Sequence, residues 1–390
     1  MTAAELCAGS QRWQPAAFVG HEIYRQAAYG RLHPLTISRV EAVIDVCRAL
    51  DWFVPGEYVE SPRATSDDLL AFHAESYIEA LRLASARGAV DTITRERYAI
   101  GTMENPLFPG LFERASTAVG GSILAADLAL RGRIAFSPAG GTHHGRRDRA
   151  SGFCYFNDPA FAILRLLRAG IESVLYVDLD AHHGDGVQDA FADDARVWTL
   201  SIHEAGRWPY SGAFDDVGGG RSVNLPVPKG FRDAELRMLL DDVVSPFAAH
   251  IAPEAVVVTC GADALAGDPL ASMALHNVVL WDAVDRIVAC APHAVVLGGG
   301  GYNPWTLARY WTGIWGRLSR REFPAALPEN ARAVLRKLQC DLVDEEDLDS
   351  RWIDMLSDEE STLPVRDEVA GLRDRAAVRL RAAPERMSAR

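Results

Sequence analysis

Five short apolar runs, each followed at once by glycines and titratable residues, restrict the fold of this chain more than any other feature of its sequence. The runs cover residues 134–136, 173–177, 197–202, 255–260 and 294–297. Longer segments with helical spacing cover residues 111–130, 158–168, 233–250, 275–289 and 304–318. Near-continuous apolar strands alternating with helices predict a three-layer α/β/α fold, its central and mostly parallel sheet covered on both faces. In such folds ligands bind beyond the carboxyl ends of the strands. Here those ends run into SPAGGTHHG, DLDAHHGDG, HEAGRWPYSG, GADALAGDP and GGGGYNP. Chemistry at several ends along one edge of one sheet predicts a single site.

No internal repeat or interdomain linker interrupts residues 10–325, which read as one domain. Residues 326–390 form an extension of different character. Residues 341–360 hold ten acidic residues and one arginine, and residues 371–390 hold six arginines and two acids. The helical spacing fits a helix docked on the body or on a partner, and the composition fits a solvated tail equally well. The formal charge of −13 argues against general nucleic-acid binding. Six scattered cysteines without a C-x-x-C pair suit a reducing compartment, and a cytoplasmic protein is expected. No apolar run approaches the ~18 residues of a membrane span, and no secretory signal pattern is visible.

Asp178, Asp180 and His182 alternate along an extended segment, so their side chains point the same way. Two carboxylates side by side ionise comfortably only near a cation. With a histidine added, the set suits a catalytic divalent metal with an open position, zinc among others. The remaining ligand must come from elsewhere, and Asp263, flanked by Gly261 and Gly267, is the candidate. A structural Asp–His network, or an alkali-ion site, is the competing reading. His143 and His144 fit either further metal ligands or general acid–base groups beside a metal-bound water. Asp178 and Asp185 are available to orient the two rings. Tyr302 fits an oxyanion donor or an ordinary core tyrosine. Phe153 and Trp208 fit the walls of a slot for a slim apolar arm, or plain core packing.

Together, the segments GTMENP, GGTHHG, SGFCYFND, YVDLDAHHGDG, GADALAGDP and GGGGYNP resemble, in order, the motifs of the zinc-dependent histone deacetylase family. That family includes bacterial acetoin-utilisation proteins and acetylpolyamine amidohydrolases. The resemblance covers roughly residues 33–313 and implies an arginase/deacetylase-like α/β fold. It also implies one zinc per chain on Asp180, His182 and Asp263. His144, oriented by Asp185, would be the general base. His143, paired with Asp178, would stabilise charge and protonate the leaving amine, and Tyr302 would hold the carbonyl oxygen. Gly152, Phe153, Trp208 and Leu270 would line the acyl-lysine tunnel, and Glu104 would stand where the family has a substrate-gripping aspartate. A potassium ion would use Asp178, Asp180, His182, Ser201 and Ile202. A second monovalent site would use Phe191, Asp194 and Val197, with a further carbonyl near Arg221.

The implied activity is removal of acetyl or another short acyl group from acyl-lysine in a protein or peptide. Small acyl-amine metabolites such as acetylpolyamines are the alternative substrates, and a homo-oligomer is compatible with either. Thr142, where eukaryotic members often have tryptophan, and Glu104 make peptide specificity harder to carry over than the chemistry. A manganese ureohydrolase would need ligands for a second metal. A non-catalytic acyl-ligand binder would have little use for the full set of bases.

Overall fold

The structure, a computed structural model, describes residues 15–26, 28–30 and 33–382. The first residues of the expected domain, 10–14, and the last eight of the tail lie outside the described residues. The described chain contains one sheet of eight strands: β1 Ala17–Gly20, β2 Tyr58–Glu60, β3 Ala135–Ser137, β4 Val174–Asp178, β5 Val197–Glu204, β6 Ser222–Val227, β7 Ala255–Thr259 and β8 His293–Leu297. Their order is β2-β1-β3-β8-β7-β4-β5-β6, and every neighbouring pair is parallel. The expected α/β/α architecture is found, with a sheet that is parallel throughout rather than mostly so.

Burial on both faces explains the unbroken apolar runs. Leu175, Val177, Val256 and Val258 enter one apolar cluster. Their neighbours Val174, Tyr176, Ala255 and Val257 enter another on the opposite face. This is the period-two alternation of a pleated strand, with both sides apolar because helices cover both. Helices Leu111–Leu130 and Asp158–Arg168 contribute to the second cluster, and Asn277–Val288 and Pro304–Leu318 to the first.

The segment expected as one helix over 233–250 has a π turn at Leu240–Val244 between α-helices Asp233–Leu239 and Ser245–Ile251. Pro246 accounts for it. Proline lacks the N–H an α-helix would use there, and its ring crowds the carbonyl four residues back, so the turn widens.

Register decides where the chemistry emerges. Asp178 at the end of β4 lies opposite Ser201 of β5 and Thr259 of β7, and Thr259 lies opposite Leu297 of β8. The segments beginning at Leu179, Cys260 and Gly298 therefore leave the sheet side by side.

The tail packs on this body. Leu327, Ala331, Leu335, Leu356, Val369, Leu372 and Ala376 join the apolar cluster of the main sheet. Its charge blocks meet opposite charge. In the acidic stretch, Asp358 pairs with the buried Arg309 at 2.6 Å and Glu360 with Arg237 at 2.5 Å. Between the two stretches Arg366 grips the buried Glu235 at 2.6 and 2.7 Å. Among the described residues, no helix is long and apolar enough to cross a membrane.

Candidate metal centre and active-site pocket

Asp180 and His182 follow β4, and Asp263 lies in the turn after β7. Each offers a ligand atom, and these atoms lie within 4.8 Å of one another. His182 Nδ1 is 3.1 Å from Asp180 Oδ1 and 2.9 Å from Asp263 Oδ2. Both carboxylates are fully buried.

Glycines make this density possible. A Cβ on Gly300 would stand 2.1 Å from Asp263 Oδ2, and one on Gly261 would stand 2.2 Å from Asp180 Oδ2. The bare Gly300 backbone instead donates its N–H to Asp180 Oδ2 at 2.6 Å.

Two buried carboxylates demand positive charge beside them. Burial alone would lower the pKa of His182, but hydrogen bonds and charge from Asp180 and Asp263 outweigh it and push the imidazole up to about 10. Burial likewise works against ionisation of Asp180, and the charge of His143 with the bonds from His182 holds it well below the usual carboxylate range. Burial and the charge of Asp180 raise Asp263. A divalent cation satisfies the same demand, and the mixed N/O donor set with room on the pocket side fits one.

The two loop histidines stand beside this set with ring centroids 3.9 Å apart. His143 Nδ1 bonds Asp178 Oδ2 and His144 Nδ1 bonds Asp185 Oδ1, each at 2.7 Å. Tyr176 also donates its hydroxyl to Asp178 at 2.6 Å, and Arg146 pairs with the other oxygen of Asp185.

The environments drive the rings apart. Burial lowers both, but the carboxylate charges of Asp178 and Asp180 overcome it at His143 and raise that ring to about 9. At His144 burial dominates, the charge of His143 adds to it, and the pKa falls to about 3. His144 is therefore neutral, with Nδ1–H committed to Asp185 and the Nε2 lone pair free. Burial and the charges of Asp263 and Asp180 hold the Tyr302 hydroxyl protonated, well above 10.

One cavity of about 440 Å³ brings together Glu104, His144, Gly152, Phe153, His182, Trp208, Leu270 and Tyr302. A smaller pocket continues inward past His143, Asp180, Gly299 and Gly300. The Trp208 ring lies edge-on to His144 at 4.6 Å, and Phe153 lies edge-on to Tyr302 at 6.0 Å. Glu104 accepts the Gly152 N–H at 2.5 Å, and so orders the turn that presents Phe153.

Asp178, Ser201 and Ile202 lie in adjacent strands behind the metal set. Phe191, Asp194 and Val197 lie at the other end of β5, outside the cavity. There Arg196 already spans the Asp194 carboxylate at 3.0 and 2.7 Å. Arg221 sits over Trp198 at 4.4 Å.

The wall also contains residues that motif reading missed. Glu204, Arg207, Tyr210 and Lys229 line the same cavity. Arg207 joins Glu204 at 2.9 Å, Ser272 Oγ at 3.0 Å and the Leu270 carbonyl, tying two loops together. Arg39 lines the inner pocket and donates to the Gly299 carbonyl. A lone arginine or lysine carries no periodic signal. Only the proximity of Arg207 and Tyr210 to the noted Trp208 could have drawn attention to them.

Sheet and site together define a parallel α/β protein with an Asp–His–Asp set and two aspartate-oriented histidines at the sheet's carboxyl edge. The histone deacetylase domain matches residues 33–318, and the chain belongs to the histone deacetylase family. It is 35% identical over 315 residues to the acetoin utilization protein AcuC of Bacillus subtilis, covering 77% of this chain and 81% of that one. It is 35% identical over 275 residues to histone deacetylase 8 of Xenopus tropicalis, covering 68% and 74% of the two chains. Among solved structures, an HDAC homolog from Aquifex aeolicus superposes with a TM-score of 0.90 at 36% identity, covering 93% of this chain and all of that one. An HDAC homolog complexed with SAHA superposes with a TM-score of 0.88 at 36% identity and the same coverage.

Proposed function

We propose that this chain is a zinc-dependent amidohydrolase that removes acetyl or other short acyl groups from the amine of acyl-lysine. The observation that carries this reading is the meeting, around one pocket, of an Asp–His–Asp donor set, a neutral oriented imidazole and a protonated phenol. Asp180, His182 and Asp263 would hold the zinc, which when bound would polarise the substrate carbonyl and acidify a water.

The chain's own groups do the rest. Phe153, Trp208 and Leu270 enclose the slim alkyl arm and exclude bulk water from the amide. His144 Nε2 takes the proton of the attacking water as the new C–O bond forms. Asp185 holds that ring in the right tautomer and steadies the imidazolium that results. Tyr302 donates its hydroxyl to the oxyanion of the tetrahedral intermediate. The C–N bond then breaks, and the amine departs with a proton from the histidine pair, of which His143 is the member kept charged by Asp178. The products are a short carboxylate and a free amine.

A potassium ion in the Asp178, Asp180, His182, Ser201 and Ile202 shell belongs to the same proposal. Its support is the demand for positive charge made by the pair of fully buried carboxylates there, Asp178 and Asp180. At Phe191, Asp194 and Val197 that need is weaker, since Arg196 is already present. We place the protein in the cytoplasm on its likeness to a bacterial acetoin utilization protein and on its scattered cysteines.

The test is a metal-reconstituted deacylation assay comparing an acetyl-lysine peptide, free acetyl-lysine and N-acetylputrescine. Fast turnover of the peptide that is lost on chelation and restored by zinc is the expected result. Preference for the small amines would reassign the substrate while keeping the chemistry. Turnover of none of them by zinc-loaded protein would remove the acyl-amide reading.

A further inference from the structure

We propose that the C-terminal segment from Arg366 to Arg379 is a positioning strap for one wall of the pocket, the wall formed by Trp208, Tyr210, Lys229 and Leu270. Residues 366–379 lie beyond the 33–318 region matched to the family, yet they hold backbone of two wall segments directly.

The first hold is at the turn after β6. Arg366 donates to the Lys229 carbonyl at 2.8 Å and the Gly230 carbonyl at 3.1 Å. Its guanidinium is fixed in turn by the buried carboxylate of Glu235. Gly230 passes the restraint on, donating its N–H to Ser272 at 2.7 Å, in the loop that carries Leu270.

The second hold is on the loop that follows β5. Arg375 and Arg379 lie over the Phe214 ring with guanidinium carbons 4.5 and 3.9 Å from its centroid. Arg379 also donates to the Phe214 carbonyl and pairs with Asp215 at 2.6 Å. Toward its tip this loop has a second anchorage. Ser211 Oγ meets His183 Nδ1 at 2.8 Å, and His203 Nε2 meets the Gly212 carbonyl at 2.9 Å. Trp208 and Tyr210 are thus carried on a loop pinned to the sheet at 211–212 and to the tail at 214–215.

Among the described residues, the opposite wall, built from Glu104, Gly152 and Phe153, has no such link to the tail. The strap therefore sets the distance between the two walls, and with it the fit of the alkyl arm. It acts through other residues and leaves the Asp–His–Asp set alone. The inference rests on the pocket being the acyl-amine site proposed above, and the experiment separates the two.

Arg375 and Arg379 are replaced together by alanine in the full chain, and Phe214 is replaced by leucine in a second variant. Hydrogen exchange needs no substrate. Faster exchange at residues 205–217, with β4 and β7 unchanged, is expected in both variants, and unchanged exchange in that loop would overturn the strap. With substrate, KM should rise about three- to tenfold at nearly constant kcat and metal content, the size expected for two partly exposed cation–π contacts. Replacing both arginines by lysine should recover much of the loss, because a cation remains over the ring. A lowered melting temperature with unchanged KM would mean that the tail only stabilises the fold, and would overturn the proposal. If the native protein turns over no acyl amine, the functional reading falls, and the exchange measurement alone decides the strap.

Discussion

At the scale of single residues, the site separates two chemically identical side chains. His143 and His144 are adjacent, buried and each bonded to an aspartate, yet one is raised to about 9 and the other lowered to about 3. The difference comes from Asp180, which adds its charge at His143, and from His143 itself, whose charge falls on His144. Groups whose environments push them apart in this way are suited to opposite ends of a proton transfer. Replacing His144 with alanine should abolish turnover while zinc stays bound. Loss of the metal in that variant, read by atomic absorption, would make His144 a ligand instead. Tyr302→Phe removes one donor to the oxyanion and keeps the ring that packs on Phe153. It should lower kcat by roughly 10²–10³ with zinc content unaltered. Wild-type turnover in Tyr302→Phe would exclude the hydroxyl from the reaction.

At the scale of elements, the central strands were legible because both of their faces are apolar, which leaves little besides strand to fit the run. The site was legible for a related reason, since aspartate and histidine at the end of such a run have no packing explanation. β1, β2 and β6 were not legible. β1 and β2 are four and three residues long, and neither runs into a glycine- and histidine-rich segment like the one that marks the equally short β3. β6 contains Asn224 and Pro226, which suit a strand at the sheet's edge and read as a loop. The glycines after β8 let backbone come close to the site, and Gly300 shows what is approached. Gly300→Ala would drive a methyl group into the Asp263 carboxylate and disturb the N–H that Gly300 gives Asp180. Metal affinity should fall about 10–100-fold, the range typical of groups that orient ligands, with circular dichroism unchanged. A chelator competition titration reads this directly, and unaltered affinity would mean that the loop can yield without moving the carboxylates.

At the scale of the whole molecule, the tail explains why its charges come in blocks. Composition alone left docking and solvation open, because the guanidiniums and carboxylates that answer the tail's charges are scattered over distant parts of the body. One junction between the two is titratable. The buried carboxylate of Asp233 accepts His276 Nδ1–H at 2.8 Å and the backbone N–H of Ser361, just past the acidic stretch, at 2.7 Å. The hydrogen bond to Asp233 is the largest influence on His276. Burial opposes it and Arg351 works against it, but the charges of Asp233 and Asp358 add to it, and the pKa is raised above 6.5. A histidine that holds its proton more tightly when folded contributes stability fully below its unfolded pKa of 6.5 and loses it as pH rises through the higher folded value. The tail junction should therefore weaken from pH 6 toward pH 8. His276→Gln keeps a polar group at this position and removes the titration. The melting temperature of the native protein should fall relative to that of the variant across this interval, and parallel curves would show that the imidazolium contributes nothing to holding the tail.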